Sequence, residues 1–370
     1  MILTASHLLR ELRWVPPAVI IIGSMTPFLN QWVIIRVLTL PLPSRVYQRL
    51  EERLYSNYQA VVGFFYEIWS GVEFCFYGDH IPDNPENTLY LSNHQCSVDW
   101  VLPEVLCVKQ GGYGGRAKYI LKDALRFLPL YGWYLGMRGG IFVKRNKTRD
   151  QESMIRGLKN FVEKDMPVWL VIFPEGTRYD MRESGSLKRA KSQEYATAAG
   201  LPPLQHILMP RTTGFNLALE QVRGHFQAVY DLTIYYEGYG CATAEGGRTR
   251  GPPPDLFGFY SGQCSKVHVH VRRVPIEDIP TTPEEQKAWM YDAFLKKDKL
   301  ISSLLETGSF PAPRFTHTLP LSQCLLPLVL LALSVGVALS HRYGRRWMLA
   351  TVMIFTAITL ISGFKSRLRT

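Results

Sequence analysis

Two long uncharged stretches near the C-terminus constrain this chain more than any other feature of its sequence. Leu319 to Ser340 is a run of 22 residues without a charged side chain, rich in Leu, Val and Ala. After a six-residue link, Trp347 to Phe364 adds another 18 uncharged residues. Because a helix needs about 20 apolar residues to cross a bilayer, the pair predicts a C-terminal membrane hairpin. One span followed by an interfacial segment is the alternative.

The N-terminus carries a third apolar segment, Val15 to Ile35, preceded by Arg10 and Arg13. No small-residue cleavage site is evident, so we expect a retained anchor rather than a signal peptide. More arginines follow the segment than precede it, which for a single span places the next domain in the cytosol. The stretch Val61 to Trp69 predicts either a membrane-lying helix or a second span, and a second span would undo that orientation.

The chain is basic, with 42 Lys and Arg residues against 31 Asp and Glu and a formal net charge of +11. Such an excess suits phospholipid headgroups, a phosphorylated small molecule or nucleic acid. The sequence contains no zinc-finger, homeodomain or RNA-recognition pattern, so nucleic acid is the weakest of these candidates. None of the six cysteines forms a C-x-x-C pair, which favours buried or free thiols in a reducing compartment.

Strand-like and helix-like patterns alternate through the middle of the chain. The predicted strands are 87–92, 118–121, 140–143, 168–173, 232–236 and 267–271, and the predicted helices are 122–135, 150–164 and 281–305. The alternation predicts an α/β domain with a central mixed sheet flanked by helices. We therefore expect an N-terminal anchor with an interfacial helix at 1–80, a central domain at 81–310 and C-terminal membrane segments at 311–370. Glu245 to Pro254, rich in Gly, Pro and Arg, predicts a flexible loop.

A histidine and an aspartate lie five positions apart in the segment Asn93 to Asp99, directly after a predicted strand. Such a pair can turn a hydroxyl into a nucleophile, because the carboxylate holds one ring nitrogen while the other takes the proton. The two residues would be roughly 16 Å apart in an extended strand and about 140° apart on one helix. His94 and Asp99 can therefore meet only if the chain turns between them, and we expect Ser97 to cap the following helix. Cys96, inside the same segment, is an alternative nucleophile, although no cysteine-protease signature surrounds it.

Three further groups of reactive or charged residues follow predicted strands. Gly139–Arg145 ends with two cations, Phe173–Arg178 combines a carboxylate, a glycine, a hydroxyl and a guanidinium, and Met209–Gly214 adds another arginine. Ligands of α/β sheets bind where strands end, and arginine pairs bidentately with phosphate. Together with the His/Asp pair, these groups predict a pocket for a phosphate and a reacting hydroxyl.

The segments 93–99, 139–145, 173–178 and 210–213 resemble, in this order, the four motifs of the glycerophospholipid acyltransferase family. These are an NHx4D box, a G-x-x-F-x-x-R box, an F-P-E-G-T-R box and a proline-containing box, and the resemblance covers about residues 85–310. The spelling is most similar to the eukaryotic branch that holds lysocardiolipin acyltransferase and the gamma, delta and epsilon lysophosphatidate acyltransferases, with the termini and 139–145 nearest to the epsilon type. The resemblance implies a catalytic domain that transfers a fatty acyl group from acyl-CoA to the sn-2 hydroxyl of lysophosphatidic acid, giving phosphatidic acid and CoA.

The resemblance also implies roles for individual residues. His94 would be the general base and Asp99 would orient it. Arg145 and Arg178 would hold the acceptor phosphate, with Lys144 as a neighbouring cation. Further substrate contacts are implied for Glu175, Gly176, Thr177, Pro210 and Arg211. Whether Glu175 touches glycerol or braces Arg178 stays open at this point.

The same resemblance defines the expected partners. No metal or cofactor is expected, because the thioester of the co-substrate acyl-CoA is already activated and backbone N–H groups near the helix start would meet its oxyanion. The expected partners are acyl-CoA, lysophosphatidic acid and the lipid bilayer, and not nucleic acid. The implied location is the endoplasmic reticulum membrane as a multi-pass protein, with the mitochondrial membrane or nuclear envelope as alternatives. Two alternatives stay open: another acceptor, such as lysocardiolipin, lysophosphatidylethanolamine or lysophosphatidylglycerol, and a lipid-binding protein without catalysis.

Overall fold

The computed structural model describes residues 12–110, 114–144, 147–238 and 250–368. Its strands are β1 Glu73–Gly78, β2 Thr88–Ser92, β3 Ala117–Lys122, β4 Ile141–Val143, β5 Trp169–Ile172, β6 Ala228–Gly238, β7 Cys264–Pro275 and β8 Arg314–Phe315. These strands form one eight-stranded sheet in the order β4-β3-β5-β2-β6-β7-β1-β8.

The sheet is mixed, as the alternating pattern predicts. The strands from β4 to β6 in that order run parallel to one another, β7 is antiparallel to β6, β1 is parallel to β7, and β8 is antiparallel to β1. The carboxyl ends of β2, β3, β4, β5 and β6 therefore meet at one edge, which we call the carboxyl edge. Since β1 begins at Glu73, part of the segment assigned to the anchor, 1–80, belongs to the sheet.

Helices cover both faces of the sheet. They are α1 Val15–Leu38, α2 Ser44–Gly63, α3 Val101–Lys109, α4 Tyr131–Met137, α5 Lys147–Glu163, α6 Ser186–Ala198, α7 Thr213–Val222, α8 Leu256–Tyr260, α9 Pro283–Thr307, α10 Leu321–Ser340 and α11 Arg342–Leu368. One core lies between the sheet and α1, α2 and α3, where Phe28 and Leu102 are buried. The other lies between the sheet and α5, α7 and α9, where Phe161, Phe215 and Phe294 are fully buried.

Within the described residues, three helices are long and apolar enough to cross a membrane: residues 12–38, 321–340 and 342–362. The first is fixed to the domain, because Met25, Phe28 and Leu29 of α1 are buried in the core it shares with the sheet. The Asn30 amide donates a hydrogen bond to Thr351 Oγ1 at 3.2 Å, which joins α1 to α11. These helices form one packed group beside the sheet, and α10 and α11 present many exposed apolar side chains.

Much of the stretch Val61 to Trp69 packs in the core, and it is not among the described helices long and apolar enough to cross a membrane. Its prediction as a second span is therefore wrong, whereas its prediction as a membrane-lying helix stays a prediction. It begins in the last turn of α2 and continues as a π-helical segment, Phe64–Trp69. Val61, Phe65 and Tyr66 are at most 1% exposed. An apolar run of this length suits a protein core as well as a bilayer surface. Here the ring of Tyr66 packs on Phe74 of β1 and on Phe259 of α8, with centroids 4.9 and 5.0 Å apart.

The helix predicted at 122–135 is two short pieces. A 3-10 turn covers Asp123–Phe127, and α4 begins only at Tyr131. Between them Leu130 has φ 66° and ψ −44°, and the Tyr131 N–H donates to Pro129 O at 2.8 Å, which closes a γ-turn. A side chain on Gly132 would place Cβ 2.2 Å from Arg126 O, so this reversal requires glycine.

Candidate active site

The structure brings His94 and Asp99 together at the carboxyl edge through the turn that their spacing requires. β2 ends at Ser92, and α3 begins at Val101. His94 Nδ1 lies 2.8 Å from Asp99 Oδ2. The Asp99 side chain is fully buried, whereas that of His94 is 26% exposed. Because the carboxylate accepts from Nδ1–H, Nε2 is the ring nitrogen left to take a proton.

Asp99 also holds the turn itself. Its Oδ2 accepts N–H groups from Gln95 at 2.7 Å and Cys96 at 2.8 Å, and its Oδ1 accepts the Tyr236 hydroxyl at 2.7 Å. These hydrogen bonds offset the cost of burying the carboxylate. The turn delays the helix to Val101, so the expected Ser97 cap is wrong. The Ser97 hydroxyl is buried without a hydrogen-bond partner among the described residues.

The loop after β5 fixes the position of His94. The imidazole stacks on Phe173 with ring centroids 4.5 Å apart. The His94 N–H donates to Glu175 Oε1 at 2.7 Å, and the His94 carbonyl accepts the Tyr179 N–H at 2.7 Å. Both backbone polar groups and the ring face of His94 are therefore held by the segment 173–179.

Asn93 and Gln95 attach the same turn to β6. The Asn93 amide donates to Ile234 O at 2.9 Å and accepts the Ile234 N–H at 2.8 Å. Gln95 Nε2 also donates to Ile234 O, at 2.5 Å. Since a carboxamide presents a donor and an acceptor as a peptide does, Asn93 continues the pairing of β2 with β6 beyond Ser92.

Glu175 is a buried brace between loops, which answers the question that the sequence leaves open. Its side chain is 3% exposed, and its second oxygen, Oε2, accepts the Leu208 N–H at 3.0 Å. Burial raises the pKa of Glu175 to about 8, although the hydrogen bonds from His94 and Leu208 act in the opposite direction. Both carboxylate oxygens therefore hold backbone groups, and Glu175 does not brace Arg178.

Gly176 and Arg211 join the third and fourth motifs. Gly176 has φ +66°, a conformation that favours glycine, and a Cβ built there would lie 3.6 Å from Arg211 Nε. The Arg211 N–H donates to Pro174 O at 2.8 Å. Arg178 and Arg211 are both exposed. The segment 173–178 and Arg211 thus present two exposed guanidinium groups on loops linked to His94.

The other residues predicted for the site lie in the second, third and fourth motifs. Arg145 lies outside the described residues. Lys144 is exposed just after β4, with its N–H donating to Asp150 Oδ1 at 2.6 Å. Thr177 is half-buried, and Pro210 is buried. In the sheet, β3 and β5 lie between β4 and β2, whereas β5 is directly next to β2. The segment 139–144, at β4, is therefore further from the His94 turn than the segment 173–178, which follows β5.

Cys96 is buried rather than presented to the site. Its side chain is 1% exposed, and Sγ donates to Pro254 O at 2.7 Å. Burial raises the pKa of the Cys96 thiol, which disfavours the thiolate that a nucleophile needs. The five cysteines of the described residues are all buried, and Cys241 lies outside the described residues.

The backbone amides of residues 94–96 are not available to an oxyanion. The N–H groups of Gln95 and Cys96 donate to Asp99, and the N–H of His94 donates to Glu175. An amide that already donates to a carboxylate cannot also meet a developing oxyanion at full strength. The expectation that these amides form the oxyanion hole therefore finds no support at 94–96.

Replacing Glu175 with Gln is expected to lower kcat roughly 10- to 100-fold, because one acceptor oxygen becomes an NH2 donor facing a backbone N–H. We expect a loss of stability of about 1–3 kcal/mol from the unpaired group. Steady-state kinetics and thermal unfolding of E175Q measure both effects. Glu183 is exposed, so E183Q is the matched control and should behave as wild type. Unchanged kcat in E175Q would show that the brace is unimportant for turnover.

Three contributors to the site are not predicted from the sequence: Tyr236, Tyr179 and Arg250. Tyr236 is buried on β6 and Tyr179 directly follows the third motif, so their positions next to strand ends were the available signal. Arg250 belongs to the predicted flexible loop, yet its guanidinium donates to Gln95 Oε1 at 3.0 Å.

Within the described residues, no cluster of three or more His, Cys, Asp or Glu side chains could hold a metal ion.

Two protein-family models match the chain. The model described as Acyltransferase matches residues 73–236, and the model described as Acyltransferase C-terminus matches residues 258–332. The first covers the segment from β1 to β6 and so contains the four motifs and the His94–Asp99 pair. The second begins in α8 and ends within α10.

Three proteins similar to this chain are acyltransferases. The chain is 35% identical over 354 residues to mouse 1-acyl-sn-glycerol-3-phosphate acyltransferase epsilon, covering 94% of this chain and 95% of that protein. It is 29% identical to human 1-acyl-sn-glycerol-3-phosphate acyltransferase gamma, covering 74% and 69%. The crystal structure of the 1-acyl-sn-glycerophosphate (LPA) acyltransferase PlsC from Thermotoga maritima aligns with TM-score 0.46 at 18% identity, covering 81% and 98%. The chain belongs to the acyltransferase family that includes the 1-acyl-sn-glycerol-3-phosphate acyltransferases.

Proposed function

We propose that the protein transfers a fatty acyl group from acyl-CoA to the sn-2 hydroxyl of lysophosphatidic acid. The observation that carries the proposal is the His94–Asp99 pair, with Nδ1 bonded to a fully buried carboxylate and the imidazole partly exposed at the carboxyl edge. Membership of the acyltransferase family and the names of its similar proteins support the same reaction class.

The proposed reaction needs one proton transfer to His94 and one proton transfer from it. His94 Nε2 takes the proton of the sn-2 hydroxyl as its oxygen attacks the thioester carbonyl, while Asp99 stabilises the resulting imidazolium. The tetrahedral intermediate then breaks the C–S bond, and the CoA sulfur leaves with the proton returned by His94. An ester C–O bond replaces the thioester C–S bond, so the products are phosphatidic acid and CoA.

The acceptor phosphate is proposed to bind near the exposed guanidinium groups of Arg178 and Arg211. The loops of these residues are joined, since the Arg211 N–H donates to Pro174 O at 2.8 Å. Arginine suits this role because its planar fork pairs with two phosphate oxygens. We keep Arg145 and Lys144 as proposed phosphate contacts from the second motif, and Thr177 and Pro210 as residues that line the site.

The membrane is proposed as the source of the acceptor lipid. Three helices within the described residues are long and apolar enough to cross a bilayer, and α1 packs directly on the core that supports the sheet. A lysophospholipid held in a bilayer would therefore lie beside the catalytic domain. We propose a multi-pass protein of the endoplasmic reticulum membrane.

A panel of acceptors tests the proposed substrate. Purified full-length protein in detergent, with one acyl-CoA, is assayed in parallel with lysophosphatidic acid, lysocardiolipin, lysophosphatidylethanolamine and lysophosphatidylglycerol. We expect the highest kcat/KM with lysophosphatidic acid, because its exposed phosphate monoester can pair with two arginines. A higher kcat/KM with another lysophospholipid would replace the proposed acceptor but retain acyl transfer.

A further inference from the structure

Arg250 stands where three loops of the candidate site meet. Its guanidinium donates to Gln95 Oε1 at 3.0 Å and to His206 O at 2.5 Å. The same group lies 4.3 Å from the ring centroid of Tyr179. One side chain therefore contacts the turn after β2, the segment before the fourth motif and the segment after the third motif.

Gln95 and Tyr179 are each one hydrogen bond away from the His94–Asp99 pair, and His206 belongs to a loop that Glu175 holds. The Gln95 N–H donates to Asp99 Oδ2 at 2.7 Å, and the Tyr179 N–H donates to the His94 carbonyl at 2.7 Å. His206 lies two residues before Leu208, whose N–H donates to Glu175. Arg250 therefore acts on the pair through its supports and not by direct contact.

Arg250 is the first residue of a short segment, residues 250–254, which we call the strap. It ends in three consecutive prolines, Pro252 to Pro254, whose fixed φ makes the segment stiff. Pro254 O accepts the Cys96 Sγ hydrogen at 2.7 Å, so the strap touches the His94–Asp99 turn at both ends. Beyond it, the Asp255 side chain caps α8 by accepting the Gly258 N–H at 2.7 Å, and Phe259 is fully buried.

The opposite side of the His206 peptide is also fixed. Asp298 of α9 accepts the His206 N–H at 2.6 Å and the Gln205 N–H at 3.0 Å. His206 is thus held between a carboxylate on α9 and the guanidinium of Arg250. A fork that donates to two acceptors and stacks on a ring cannot be matched by lysine, which lacks the planar geometry.

We propose that Arg250 is a positioning residue for acyl transfer, holding the loops that support His94, Asp99 and Glu175 in one arrangement. This inference rests on the proposed function, because the arrangement matters only if His94 has to meet a substrate hydroxyl. Misplacement of a reacting group by about 1 Å can cost 10²-fold in rate. Loss of the guanidinium should therefore act mainly on kcat.

The test compares full-length wild type, R250Q and R250K with the control R223Q. Arg223 also donates to backbone carbonyls, those of Pro280 at 2.9 Å and Ile276 at 2.7 Å, but on a surface away from the carboxyl edge. We expect R250Q to lower kcat roughly 10- to 100-fold with KM for both substrates near wild type. R250K should recover part of kcat, and R223Q should lower Tm while leaving kcat near wild type below its Tm.

Several outcomes would overturn the proposal. A raised KM for either substrate with unchanged kcat would make Arg250 a substrate-binding residue. If R223Q loses as much kcat as R250Q at a similar loss of Tm, the effect of R250Q comes from lower stability and Arg250 is merely structural. If R250Q does not fold, R250K is compared with R223Q in the same way. If wild type prefers another lysophospholipid, only the proposed acceptor fails and the variants are compared on that acceptor. If wild type acylates none of them, the proposed function and this inference fail together.

Discussion

Replacing His94 with alanine is expected to lower kcat by about 10²–10⁴-fold, the contribution that a positioned general base typically makes. The imidazole is the group of the pair that is exposed to substrate, since Asp99 is fully buried. Alanine leaves the backbone bonds of residue 94 to Glu175 and Tyr179 intact, so the loops should keep their arrangement. The measurement is CoA release from acyl-CoA in the presence of lysophosphatidic acid.

The control for this variant is H80A. His80 is exposed in the same domain, and its ring lies 4.1 Å from that of Phe315 of β8. In the sheet, β6, β7 and β1 separate β8 from β2. We expect H80A to retain wild-type kcat. An H94A protein with a wild-type thermal transition and more than about a tenth of wild-type kcat would contradict a general base at this position.

Replacing Asp99 with asparagine is expected to lower kcat by roughly 10²–10⁴-fold while the protein remains folded. The asparagine oxygen can occupy the Oδ2 position and still accept the N–H groups of Gln95 and Cys96 and Nδ1–H of His94. Its NH2 group then faces the Tyr236 hydroxyl, which can rotate to accept. What is lost is the negative charge that stabilises the imidazolium during proton transfer.

Y236F separates the charge of Asp99 from its hydrogen bonding. The Tyr236 hydroxyl donates to Oδ1 at 2.7 Å, on the side of the carboxylate away from His94. We expect Y236F to cost about 1–2 kcal/mol of stability and less than a tenfold loss of kcat. If kcat falls as far in Y236F as in D99N, hydrogen bonding rather than charge controls the pair. If D99N keeps kcat near wild type, Asp99 is not part of the proton transfer.

The sheet and the order of its motifs were largely predictable from the sequence. Continuous apolar runs such as 168–173 mark strands buried on both faces, and β5 occupies Trp169–Ile172 within that run. β1 was missed because its neighbour β7 lies about 190 residues further along the chain, and periodicity contains no such long-range information. The second span predicted at Val61 to Trp69 was wrong because an apolar run does not reveal whether lipid or protein surrounds it.

The candidate site was predictable in its residues but not in its internal bonding. The spacing of His94 and Asp99 required a turn, and the structure has one. Sequence patterns cannot show that Asp99 also captures the amides of Gln95 and Cys96, which moves the helix start to Val101 and removes the expected Ser97 cap. Glu175 and Arg250 act on backbone groups of distant loops, and side-chain-to-backbone bonds leave no periodic signal.

The most direct measurement of the central claim is the stoichiometry of products made by the purified full-length protein. The protein is incubated with oleoyl-CoA and lysophosphatidic acid, and phosphatidic acid and free CoA are quantified together for wild type and H94A. We expect one phosphatidic acid for each CoA released by wild type, and for H94A both products formed about 10²–10⁴-fold more slowly. Release of CoA without phosphatidic acid, or equal formation of phosphatidic acid by H94A, would contradict acyl transfer by the His94–Asp99 pair.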